Sequence, residues 1–130
     1  MSSLERLDPA LVENFVAQAH AELERVQQLL RDDPALLNAA WDWGGGDWET
    51  ALGAAAHMGR RDIALFLLSE GARMDVFAAA MLGELAIVRA TLEAQPEARH
   101  ARGPHGIPLE LHAEAGGDHA APVLEYLRTS

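Results

Sequence analysis

The sequence predicts an all-α solenoid of about four helix–turn–helix units in a single domain spanning 1–130. Three observations carry the prediction. A pattern of small residues, a turn position and then an amphipathic helix recurs along the chain, and such self-similarity marks stacked repeats. Glycines occupy most of the turn positions, at Gly59, Gly83 and Gly116. The composition, 49% hydrophobic and 23% charged over 130 residues, is that of one soluble globular domain with enough chain to bury a core.

Taken in order, the chain opens its first helix at Asp8-Pro9, a cap followed by proline at the first helical position. The first unit, about residues 11–37, places small residues before a turn at Ala21, then a helix carrying Val26 and a Leu-Leu pair. The second, about 46–73, starts at a Thr50 cap. It runs through Ala54, Ala55 and Ala56 to Gly59, then through a helix with Ile63, Phe66 and Leu67 on one face, with Gly71 placed as a C-terminal cap. A third unit, about 74–98, repeats this from an Asp75 cap through Ala78, Ala79, Ala80 and Gly83 to Val88 and Leu92. The fourth, about 104–128, uses Gly116, Val123 and Leu127 but carries two extra residues at GGDHA and a histidine, His112, in place of an alanine. His112 is expected in the core, hydrogen-bonded to backbone.

The segment TALGAAAHMGRRDIALFLLSEGA resembles the ankyrin repeat. Thr50, Leu52, Ala55, Ala56, Gly59, Ile63, Leu67, Leu68, Gly71 and Ala72 carry the likeness, and the other three units share it less closely. The resemblance implies slim first helices stacked side by side, with a finger-like turn projecting between units. From turn to turn the chain advances 38 residues (Ala21 to Gly59), 24 (Gly59 to Gly83) and 33 (Gly83 to Gly116), against an ankyrin period of about 33. One long Trp/Gly finger is therefore expected over residues 38–49, and one finger is expected to be missing at GARMDVFAAA.

The long finger holds all three tryptophans, Trp41, Trp43 and Trp48, around Gly44-Gly45-Gly46. Three successive glycines lose much backbone entropy on ordering, so an anchor is needed. The expectation is that at least two indoles lie back on the helices and supply it. The competing expectation is a clamp formed by Trp43 and Trp48.

In ankyrin-like stacks, partners lie across the finger and the ends of the first helices. Carried onto this chain, that gives Trp43, Asp47, Trp48 and Glu49 at the finger, and His20, His57, Met58, Met81, Leu82 and Glu114 on successive first helices. Methionines in such a row repack readily around varied partners. The expected function is non-catalytic binding of an unidentified partner protein or peptide, by a monomer or weak homodimer. The alternative is a small molecule or sugar at the Trp/Gly loop.

Other function classes are disfavoured. The formal net charge is −10 and every basic residue is arginine, which argues against nucleic acid. The chain has no apolar run long enough to span a membrane and no apolar block at its start, so no membrane association and a cytoplasmic location are expected. Without cysteine there are no disulfides, thiolate metal sites or cysteine nucleophiles. The serines, Ser2, Ser3, Ser69 and Ser130, lie at chain or helix ends, and no phosphate-loop motif occurs, so no enzyme activity and no cofactor are expected. A C-terminal group of His100, His105, His112 and His119 with Glu110, Glu114 and Asp118 is the densest set of metal-ligand types, a lesser alternative. Its spacing matches no ligand motif, and no metal is assigned to it.

Overall fold

The computed structural model describes residues 5–129, and over these the chain is mostly helical. Eight α-helices form four successive pairs among the described residues: α1 (Pro9–Gln18) with α2 (Leu23–Asp32), α3 (Ala51–His57) with α4 (Arg61–Ser69), α5 (Val76–Leu82) with α6 (Leu85–Ala94), and α7 (Leu109–Ala115) with α8 (Ala121–Thr129). The first helices α1, α3, α5 and α7 pack against one another in that order. The interior of this row is made of small side chains. Ala51, Ala54, Ala55 and Ala56 of α3 and Ala78, Ala79 and Ala80 of α5 are buried, which lets the helices approach closely. Two groups of buried residues meet at α5: Ala78, Met81 and Leu82 belong to the one extending toward Phe15 and Ile63, while Ala79 and Ala80 belong to the one extending toward Leu109 and Val123.

The helix ends form where the sequence places them. Asp8, Thr50 and Asp75 each accept a hydrogen bond from a first-turn backbone N–H, of Ala10, Gly53 and Ala78 respectively. At Gly83 the chain adopts φ 81°, and the N–H of Glu84 returns to the Ala79 carbonyl at 2.9 Å, closing α5 with a left-handed cap. A Cβ there would overlap the His119 carbonyl oxygen of the neighbouring pair, so the close approach as well as the turn requires glycine. Arginines at the start of α4 tie adjacent pairs together: Arg60 donates to the Ala21 carbonyl at 2.6 Å and Arg61 to the Leu82 carbonyl at 3.0 Å.

Between the first and second pairs, β1 (Ala40–Asp42) and β2 (Trp48–Thr50) form an antiparallel hairpin with Trp41 opposite Glu49 and Asp42 opposite Trp48. No strand occurs where the finger at GARMDVFAAA was expected to be missing. The two extra residues of the fourth unit are taken up in a 3-10 turn, Gly117–Ala120, between α7 and α8. Among the described residues no helix is long and apolar enough to cross a membrane.

Candidate functional site

The hairpin is anchored differently from the expectation. The Asp42 carboxylate accepts hydrogen bonds from Gly44 N at 2.8 Å and Gly46 N at 3.0 Å, so an acid at the end of β1 orders the three-glycine turn. Of the tryptophans, only Trp41 packs on the core of the first helix pairs. Trp43 is 37% exposed and Trp48 is 61% exposed. Strand geometry accounts for Trp48, because successive residues point to opposite sides: Glu49 turns inward and its neighbour Trp48 turns out.

Glu49 is the centre of the site. It is buried to 1% exposure, which for a carboxylate demands compensating partners. Trp43 donates its indole Nε1 hydrogen to Glu49 Oε1 at 2.8 Å. Three imidazoles surround the same carboxylate. His20, at the end of α1, brings Nε2 to 3.3 Å from Oε1; His57, the last residue of α3, brings Nε2 to 2.9 Å from Oε2; His105, from the loop before α7, brings Nε2 to 3.3 Å from Oε2. The imidazoles also face one another, with ring centroids 5.0 Å apart for His20 and His57 and 5.1 Å for His57 and His105.

Outer groups orient two of these rings. His20 Nδ1 lies 3.1 Å from the Val16 carbonyl and 3.0 Å from the Ala17 carbonyl. His105 Nδ1 lies 2.7 Å from Asp47 Oδ2, and the other Asp47 oxygen accepts the His105 backbone N–H at 2.7 Å. That backbone has φ 62°, making His105 the one described non-glycine residue with positive φ. Non-glycine residues are uncommon in this region, though histidine less so than most, and the two Asp47 hydrogen bonds hold the conformation.

Electrostatics follow the geometry. Burial disfavours a charged Glu49, but the His20 and His57 imidazoles beside it and the Trp43 N–H outweigh burial and hold its carboxyl at about 2. The Glu49 carboxylate in turn raises the pKa of His20 above the ordinary value, against partial desolvation. The His105 backbone N–H lowers the pKa of Asp47.

Five of the expected contact residues, His20, Trp43, Asp47, Glu49 and His57, thus converge on one point. Glu49 and His57 lie largely inside it and are not surface contacts. Met81 and Leu82, expected on the open groove, are buried at 1% and 4% exposure. The physical reason is the close packing of the fourth pair, whose Gly116 sits against the Met81 backbone carbonyl. Met58 is 50% exposed, as a surface contact requires. Glu114 lies apart and pairs with Arg128 at 3.6 Å.

The C-terminal histidine group does not assemble. Among the described residues the one set of metal-ligand side chains that converges is His20, Glu49, His57 and His105, so only His105 of that group belongs to it. His112 is fully buried, with Nδ1 2.9 Å from the Pro108 carbonyl, as expected of a core histidine. The role of His105 has one local signal, its place in Gly103-Pro104-His105-Gly106, a tight glycine- and proline-flanked turn. No family model, curated protein or solved structure matches the chain.

Proposed function

We propose that the chain is a non-catalytic recognition module of the ankyrin type, holding a partner protein or peptide across the hairpin and the nearby end of α3. One observation carries the reading: Trp48, Trp43 and Met58 stay exposed at the hairpin and at the end of α3, a helix whose residues before His57 are all buried. Exposed large apolar side chains on an acidic protein suit an amphipathic, basic partner segment. Four successive helix pairs, three with a capped first helix and three with glycine at the turn, and a hairpin between the first and second support the ankyrin-type assignment.

The test is capture of partners from lysate by the wild type beside the Trp48→Ala/Met58→Glu double variant, with melting temperatures compared. A partner retained by the wild type and lost by an equally stable variant supports the reading. Equal retention moves recognition to another face.

A second reading, small-molecule binding at the Trp/Gly hairpin, is favoured by one feature. A cleft of about 470 Å³ between the hairpin and the start of α1 is lined by Leu7, Pro9, Val12, Trp41 and Trp48. Ligand-dependent indole fluorescence that Trp48→Ala abolishes, with Met58→Glu silent, would favour this reading over the first.

A further inference from the structure

We propose that His20, Glu49, His57 and His105 form a binding site for a divalent first-row transition metal ion of the zinc class, and that this ion staples the hairpin to the ends of α1 and α3 and to the loop before α7. The proposal stands independently of partner recognition.

Geometry is the first support. One ligand atom from each of the four side chains lies within 4.8 Å of all the others. Four-coordinate zinc, with bonds of about 2.0–2.1 Å, needs ligand atoms about 3.3 Å apart. The His57 and His105 approaches to Glu49 Oε2, 2.9 and 3.3 Å, are already close to this; His20 approaches Oε1 at 3.3 Å and must swing toward Oε2, and separations of up to 4.8 Å must contract by about 1.5 Å.

The second support is independent of spacing. Glu49 Oε2 and His57 Nε2 are both buried and neither has a hydrogen-bond partner, although they lie 2.9 Å apart. Buried polar atoms left unsatisfied are rare and costly. A cation between them would satisfy both at once.

The third support is the surrounding shell. Metal-bound histidines characteristically give their other ring N–H to a carboxylate or backbone carbonyl, which fixes the tautomer and aims the lone pair at the ion. His105 has Asp47 in that place, and His20 has the Val16 and Ala17 carbonyls. Trp43 occupies Oε1 of Glu49, leaving Oε2 for the ion. Three imidazoles with one carboxylate suit zinc and its neighbours; calcium and magnesium prefer all-oxygen shells. Four protein ligands from four separate segments make a closed, structural type of site. The competing occupant is protons, with imidazoliums donating to the Glu49 carboxylate.

The test uses untagged protein stripped with a chelator, titrated with Co²⁺ and then Zn²⁺. The expected result is one equivalent of Co²⁺, the intense visible absorption of a four-coordinate ion, displacement by Zn²⁺, and a melting temperature that rises with Zn²⁺. Because Glu49 is buried and its variants are at risk of misfolding, His105→Gln carries the mutational arm. It is expected to keep the helical circular dichroism and lose most of the Co²⁺ affinity. Asp47→Asn is expected to weaken binding about tenfold, and His119→Gln to leave it unchanged. Absence of saturable one-to-one binding, binding untouched by His105→Gln, or equal sensitivity to His119→Gln each overturns the assignment. The first of these outcomes leaves the proton-bridged cluster as the description of the site.

Discussion

His112 shows how one buried residue sets a pH dependence. Desolvation lowers its pKa from 6.5, the carbonyl of Pro108 opposes this, and the neighbouring His57 adds to the lowering. The folded state therefore disfavours the protonated ring relative to the unfolded chain. The stability this residue contributes is fully present above pH 6.5 and is lost as the pH falls below it, because the unfolded state then binds the extra proton. His112→Gln keeps a donor for the Pro108 carbonyl but has nothing to protonate. It is expected to flatten the fall of stability below pH 6.5, by up to about 1.4 kcal/mol per pH unit. Urea titrations of both proteins at pH 7.5, 6.0 and 5.0 read this directly. Parallel slopes would remove His112 as the cause.

Turns and caps are the elements on which neighbouring pairs depend. Gly83→Ala forces a side chain into left-handed backbone and against the His119 carbonyl. A cost of about 2–4 kcal/mol is expected, from backbone strain and overpacking together. Asp75→Ala, which removes only the cap on Ala78 N, is expected to cost about 1 kcal/mol. Chemical denaturation of both variants tests the ordering, and a Gly83→Ala protein as stable as the wild type would contradict it. These features were legible in the sequence because each is local: Asp8, Thr50 and Asp75 cap helices that begin one residue later. The hairpin was legible from the interruption of the repeat, although its anchor was not. Asp42 bonds to Gly44 and Gly46 through a side-chain rotamer that no residue pattern encodes, whereas the size of the tryptophans points to them as anchors. Met81 and Leu82 read as groove residues because nothing in their own segment announces that α7 and the turn after it cover them.

At the scale of the whole molecule, the site and the core are products of stacking, and stacking is what sequence shows least. His20, Glu49, His57 and His105 come from just after α1, the middle of β2, the end of α3 and the loop before α7, and no local spacing relates them. The ends of the first helices place His20 and His57 near one face, with Glu49 on the finger beside them, which repeat alignment does reveal. His105 joins them only because α7 packs on both α3 and α5. The same architecture makes an expectation about energetics, since buried residues fall into two groups that share only α5. Ile63 and Val123 lie in different groups and are both fully buried. Ile63→Val is expected to cost about 1 kcal/mol and Val123→Ala about 2 kcal/mol. If the stack transmits strain only between neighbours, the double variant should lose the sum to within about 0.5 kcal/mol. Equilibrium unfolding of the two single variants and the double variant supplies the measurement. A coupling well beyond that margin would mean the two groups respond as one continuous core, and that α5 passes packing changes from one to the other.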